Sequence, residues 1–380
     1  MKSTREKGLF QAAAILLALL ALAGCAKKSG GEVAAAAEPG DVTMRLVCDV
    51  SGIDDKSFNA AAWRGILRYY GDSLGNTAKK GSLYDYVICT GPDQYIPVIQ
   101  ATTDEGYDLV IATGFSFADP IGEMAGRNPN QKYMIVDVDW VAQPNVLNAV
   151  FAEHEGSYLV GVAAALKAQE DGIAKPRFGF IGGQAGPTIT KFEVGYIQGI
   201  HSVIPGADII DYYVGDWNSP DLAKTQAKNW FDSGVYIIYS AAGASGNGTI
   251  AQAKEYRSQG KNVWAIGVDS DQYEDGIYKG TDSAVYTSML KRVESATYAG
   301  INAVKNGSFR GEVITFDLKA DGVGYAGTNP AMSAGIKAKV DAAAEEIKNS
   351  RISIAATYAA AKALPGFPQD LKASDSSAAE

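Results

Sequence analysis

From residue 43 onward the chain alternates short apolar runs with amphipathic stretches of helical length. The runs at 43–50, 84–90, 108–113, 132–138, 147–151, 177–182, 208–214, 235–241, 262–268 and 284–288 read as strands. Between them, 57–71, 93–105, 117–127, 155–168, 189–202, 220–232, 249–259 and 291–305 read as helices. The strand runs are almost continuously apolar, as they must be when helices cover both faces of a sheet. Regular βαβα order predicts parallel sheets. A chain of 380 residues also exceeds the roughly 250–300 residues that one core supports. The pattern therefore predicts an α/β protein of two doubly wound parallel-sheet lobes. Later the alternation weakens into short strands at 311–318 and 322–325 and a surface helix at 329–349, elements suited to recrossing a two-lobed interface.

In open α/β sheets ligands sit just beyond the carboxyl ends of the strands. The stretch Leu46-Val-Cys-Asp-Val-Ser-Gly-Ile-Asp-Asp-Lys-Ser-Phe-Asn59 sets Asp49 at the first strand end and Phe58 at the start of the next helix. Gly114-Phe115-Ser116, Asp137, Gly182-Gly183, Asp216-Trp217-Asn218-Ser219 and Asp269-Ser270-Asp271 follow later strands. Ionised carboxylates there accept hydrogen bonds from ligand N–H and O–H groups. One such Asp reads equally well as a helix N-cap or turn former. Recurrence in both halves of the chain favours a shared site. Phe58 and Trp217 fit a core role, or the two faces that sandwich a flat ring between lobes. Base–aromatic stacking of that kind contributes about 1–3 kcal/mol per base.

The glycine-rich turn at 243–248 invites a pyrophosphate reading. It lacks the G-x-G-x-x-G spacing and comes too late for a first βα unit, so a tight turn offering backbone N–H groups is the better reading. Nor is it G-x-S-x-G, which leaves Ser245 a poor nucleophile. The two histidines, His154 and His201, form no zinc-site spacing, and a His-based triad has little to work with. Asn247-Gly-Thr249 and Asn306-Gly-Ser308 read as turns. The net charge of −9 argues against a nucleic-acid surface. No metal, cofactor or catalytic residue is expected.

The N-terminus carries Lys2, Arg5 and Lys7 before an apolar stretch at 9–23, an export-signal pattern too short for a good membrane span. Its end, Leu22-Ala-Gly-Cys25, resembles the bacterial lipobox, whose cysteine becomes the lipidated N-terminus. Residues 1–24 thus read as a lipoprotein signal peptide and 25–41 as a lipidated tether too poor in apolar residues to fold. Cys48 and Cys89 fall in adjacent expected strands. Export permits a bridge between them, but neighbouring parallel strands seldom offer its geometry.

Several segments together resemble the basic membrane lipoprotein (BMP) family of purine nucleoside receptors. They are Ile53-Asp-Asp-Lys-Ser-Phe-Asn59 with Trp63-Arg-Gly65, Phe151-Ala-Glu-His-Glu-Gly-Ser-Tyr-Leu-Val-Gly161, Lys191-Phe-Glu-Val-Gly195, Ala242-Gly-Ala-Ser-Gly-Asn-Gly248, Ile266-Gly-Val-Asp269 and Thr287-Ser-Met-Leu-Lys-Arg292. The resemblance implies a type I periplasmic-binding-protein fold, two lobes joined by a hinge. It also implies capture of guanosine, inosine or adenosine and delivery to the permease and ATPase subunits of an ABC importer from a lipid-anchored position on the cell envelope. Matched residue by residue, Asp49 and Asp137 meet the base edge, Phe58 stacks on the base, and Gly243 contacts the ribose by its backbone. Asp269 and Lys291 grip the ribose hydroxyls. Trp217 stands where the family has phenylalanine, which keeps a stacking face and enlarges it. Ser57, Asn59 and Phe115 are weaker candidates for the pocket wall. The expected lobes are 42–150 with 280–318 and 151–279 with 319–365, followed by a flexible tail at 366–380. Riboflavin or another flat heterocycle is the alternative ligand, and a nucleoside hydrolase the alternative class.

Overall fold

The computed structural model describes residues 41–367 and 369, so the signal segment, Cys25 and nearly all of the tether lie outside the described residues, as does most of the tail. Fourteen strands follow in chain order. They are β1 (Met44–Cys48), β2 (Tyr84–Ile88), β3 (Leu109–Thr113), β4 (Lys132–Val136), β5 (Val146–Phe151), β6 (Arg177–Gly182) and β7 (Asp208–Tyr213). After these come β8 (Val235–Ala241), β9 (Trp264–Asp269), β10 (Ile277–Lys279), β11 (Asp282–Ser283), β12 (Val285–Lys291), β13 (Val313–Phe316) and β14 (Val323–Tyr325).

Two six-stranded sheets carry the fold, ordered β13-β5-β4-β3-β1-β2 and β14-β12-β9-β8-β6-β7. Both follow one plan: sixth, fifth, fourth, third, first, second. The first sheet is parallel throughout. In the second only β14 runs antiparallel, against β12. Central strands β3, β8 and β9 are buried along their whole length, and edge strands β2 and β7 are partly open. Burial on both faces is why these central runs read as continuously apolar rather than alternating.

The chain passes between lobes after β5, after β12 and between β13 and β14. Each of the first two crossings delivers a helix to the opposite lobe. Helix Val293–Lys305 lies so close to helix Phe58–Tyr70 that a Cβ on Gly65 would sit 2.1 Å from Thr297 Oγ1. Helix Glu153–Glu170 meets helix Pro187–Val203 as closely: a Cβ on Gly199 would fall 2.1 Å from the Tyr158 carbonyl oxygen.

Three expectations need revision. Strand β12 pairs with β9 in the second sheet, so 285–291 belongs to the C-terminal lobe rather than to the first. It runs on through Lys291, and the following helix starts only at Val293. Lys291 is thus a strand-end residue at a crossing, not a helical one. The tail does not loosen at 366, because Phe367 is buried in the main core.

Cys48 and Cys89 are free, buried thiols. The Cys89 N–H donates to the Cys48 carbonyl at 2.9 Å, yet Cys48 packs in the core cluster on one sheet face and Cys89 in the cluster on the other. Opposite faces preclude a bridge.

Candidate functional site

The strand ends of the two lobes enclose a cavity of about 650 Å³ of empty space, part of it open to solvent. The first lobe lines it with Asp49, Asp55, Phe58, Asn59, Thr113, Phe115 and Asp137, the second with Thr188, Ile189, Phe192, Trp217, Gly243, Asp269 and Lys291. Asp49, Phe58, Asp137, Trp217, Gly243, Asp269 and Lys291 therefore meet around one space, with Asn59 and Phe115 beside them. Ser57 lies just behind the wall and reaches it through Asp269.

In the first lobe the decisive residue is Asp55. Its carboxylate accepts the N–H groups of Ser57 (3.0 Å), Asn59 (2.8 Å) and Ala60 (2.9 Å), so it caps helix Phe58–Tyr70. This releases the Ser57 side chain from capping, and its hydroxyl donates across the cleft to Asp269 at 2.6 Å. Burial pushes Asp55 up to about 6 despite those three donors. Asp49 Oδ1 accepts from Asn59 Nδ2 at 3.1 Å and from the Ser51 N–H at 3.0 Å. Thr113 in turn donates to Asn59 Oδ1 at 2.5 Å, which holds the amide in that orientation. Burial raises Asp49 as well, partly offset by these donors.

In the second lobe Trp217 rests against glycines. A Cβ on Gly183 would come within 2.2 Å of its Cζ3, and one on Gly243 within 3.6 Å of its Cε3. At Gly183 only bare backbone lets the indole lie over the strand end, whereas at Gly243 the contact is an ordinary one. Phe115 meets it edge-on from the first lobe, with ring centroids 5.9 Å apart at 69°.

Asp137 and Asp269 occupy matching places, at the end of the fourth strand of each sheet. Both adopt left-handed backbone, φ 69° and 64°. That conformation costs a non-glycine residue roughly 1–2 kcal/mol, and aspartate is among the few residues that visit it routinely. Burial pushes Asp269 up to about 6, against the pull of Lys291 and the Ser57 hydroxyl.

A buried charge cluster sits where the chain crosses. Lys291 Nζ is 2.6 Å from the Asp137 carboxylate and 3.0 Å from Glu153 Oε1, all three nearly solvent-free. Lys191 adds a second cation, 3.4 Å from Glu153 Oε2. The ammonium also faces the rings of Phe58, Phe151 and Phe192 at 4.9, 5.1 and 5.3 Å. Against its own burial, the charges of Asp137, Glu153 and Asp269 hold Lys291 above the ordinary lysine range. Glu153 is held below its usual value, its burial outweighed by Lys291 and Lys191. Burial dominates at Asp137 and raises it. Lys291 thus bonds Asp137 and Glu153, so the pairing differs from an Asp269–Lys291 couple; Asp269 is bonded by Ser57 instead.

The family model described as "ABC transporter substrate-binding protein PnrA-like" matches residues 43–358. The chain belongs to this Bmp family. It is thus a substrate-binding protein of ABC transporters, not an enzyme. It is similar to the "ABC transporter nucleoside-binding protein BmpA" of Lactococcus lactis, 34% identical over 88% of this chain and 97% of that one. A "CD4+ T-cell-stimulating antigen" of Listeria innocua is 32% identical over 86% of this chain and 91% of its own. Among solved structures, an ABC transporter solute-binding protein of Aeropyrum pernix aligns with a TM-score of 0.72 and 25% identity, covering 85% of this chain and 96% of that one. This periplasmic-binding-protein likeness accords with the two parallel-sheet lobes. No helix among the described residues of the Bmp protein is long and apolar enough to cross a membrane.

The sequence reading missed Asp55, Thr113, Thr188, Ile189 and Phe192 in the wall, and Glu153 behind it. Asp55 carries a usable signal, since an Asp shortly before a helical run reads as a cap. Glu153 carries none, because its partner Lys291 comes from a distant strand.

Proposed function

We propose that this Bmp protein captures purine nucleosides in the interlobe cavity and delivers them, from a lipid anchor at Cys25, to an ABC importer. What carries the reading is the composition of the cavity wall: aromatic faces from both lobes, carboxylates at the ends of β1, β4 and β9, and a lysine already engaged by two carboxylates. A purine ring suits Phe58 and Trp217, with Asp49 and Asp137 accepting from its N–H edge. A vicinal diol suits Asp269, since one carboxylate can accept two O–H bonds. The nearby cation is neutralised, so the wall favours an uncharged ligand over a phosphorylated one. The nucleoside-binding name of the Lactococcus relative supports the same ligand class, and the Leu22-Ala-Gly-Cys25 lipobox supports the anchor.

The test is titration of ligand-stripped protein with guanosine, inosine and adenosine, followed by calorimetry and tryptophan emission. Saturable binding is expected, with an emission change that Trp217→Phe largely removes. No binding heat with any purine nucleoside would overturn the reading, and saturable binding of riboflavin alone would reassign the ligand.

Affinity is also expected to depend on pH. Ligand O–H and N–H donors stabilise ionised carboxylates, so binding lowers the Asp269 value from its unliganded level of about 6 and releases a proton. Affinity should therefore rise as pH climbs towards 6 and level off above about 7. Isothermal titration of inosine across that window checks it; affinity independent of pH would contradict a carboxylate grip.

A further inference from the structure

Three consecutive backbone carbonyls of the first lobe are taken by side chains of the second. Asn247 Nδ2 donates to the Asp55 carbonyl at 3.1 Å, Gln272 Nε2 to that of Lys56 at 3.4 Å, and Ser270 Oγ to that of Ser57 at 3.4 Å. Two of the donors are linked to each other, and the third is held from the first lobe. Gln272 Nε2 also reaches Asn247 Oδ1 at 3.4 Å, and Arg64 of the first lobe donates to Ser270 Oγ. Gln272 is buried, and its Oε1 accepts the Val268 N–H at 3.0 Å, immediately before Asp269. None of the three lines the cavity.

The acceptor segment is built to present those oxygens. Asp55 draws the N–H groups of Ser57, Asn59 and Ala60 onto its carboxylate, which fixes the turn. Lys56 is left-handed at φ 62°, an uncommon conformation for a residue other than glycine. Its side chain adds an ion pair to Asp275 of the second lobe at 2.7 Å. The residues next along the chain, Ser57 and Phe58, are the ones that bond Asp269 and line the cavity.

We infer that Asn247, Ser270 and Gln272 are positioning residues forming a closure latch. They grip the backbone at 55–57, hold the lobes together without contacting ligand, and thereby set affinity through the closed population. Apparent affinity scales with the fraction of protein in the binding-competent state, so weakening the latch weakens binding even when every contact residue is intact. A lost hydrogen bond of this kind shifts such an equilibrium about two- to tenfold. The consequence for ligand release rests on the nucleoside reading above; the consequence for lobe closure does not.

The experiment uses the full chain, dye-labelled through Trp140→Cys in the first lobe and Leu222→Cys in the second, both exposed positions. Interlobe distance is read by single-molecule energy transfer without ligand, and guanosine, inosine and adenosine association and dissociation rates by stopped flow. With Asn247→Ala and Ser270→Ala combined, the closed population should fall and nucleoside dissociation accelerate about tenfold, with association changed little. Ser270→Thr, which keeps the hydroxyl, should restore the closed population lost with Ser270→Ala. Asn247→Asp, nearly isosteric, serves if the alanine variants fold poorly; it removes the donor and sets a carboxylate against the Asp55 carbonyl. An unchanged distance distribution in folded variants would overturn the latch. A closed population that falls in a protein binding no nucleoside supports the latch while sinking the nucleoside reading.

Discussion

Replacing Asp269 with Ala is expected to weaken nucleoside binding roughly a hundredfold or more, while affinity for the free base falls far less. Charge-assisted hydrogen bonds are worth about 1.5–3 kcal/mol each, and a vicinal diol makes two of them to one carboxylate. Asp269 is 7% exposed at the end of β9, so water does not readily replace the lost acceptor. The substitution also removes the acceptor of the Ser57 hydroxyl, a direct link between the lobes. Loss of that link affects every ligand, whereas loss of the diol grip affects only ribosides. Calorimetry with inosine and hypoxanthine separates the two contributions. Equal fractional losses for both would mean that Asp269 acts through closure alone and that ribose is held elsewhere.

The second large effect is on stability. Lys291→Met is expected to destabilise the fold by about 3–5 kcal/mol near neutral pH, the usual cost of leaving a buried partner charge uncompensated. Methionine fills similar space among Phe58, Phe151 and Phe192, so a cavity contributes little. The penalty should shrink in acid. Burial already raises Asp137 above the ordinary carboxylate range with the lysine present, and removing the lysine raises it further. A carboxyl whose folded value exceeds its unfolded one destabilises the fold when ionised, and that cost is relieved as pH falls through the folded value. For the intact protein the opposite sign applies to Lys291. Its folded value lies above the unfolded one, so its contribution is complete below about 10.4 and is lost at higher pH. Urea midpoints at pH 7.5 and 5.5 test the acid arm. A variant as stable as the parent at both would show that the cluster does not sustain the fold.

Much of the architecture was legible because its cause is local. A strand buried on both faces must be apolar at successive positions, and all ten runs read this way have counterparts among the fourteen strands. The errors fell where local pattern is ambiguous. At 289–293 the polar Lys291 and Arg292 break an apolar run, so the local pattern suggests a helix start where a strand ends; pairing with β9 through Leu290 and with Val323 of β14 at Lys291 decides otherwise. The short strands β10 and β11 form a hairpin too brief to leave a periodic signal.

The site divides the same way. That Asp49, Asp137, Trp217 and Asp269 stand at strand ends follows from the order of apolar and polar residues, and parallel sheets point all such ends to one side. The sequence alone therefore determined the α/β class, the two-lobed plan and the edge of each sheet that would carry polar groups. Tertiary structure decided which groups pair. Lys291 bonds Asp137 and Glu153 because two chain crossings bring the ends of β4 and β12 and the start of helix Glu153–Glu170 together. Ser57 bonds Asp269 because Asp55 has taken over the cap. Element type depends on neighbours within a few residues. The partner of a buried charge depends on where distant segments meet, which periodicity along the chain does not record.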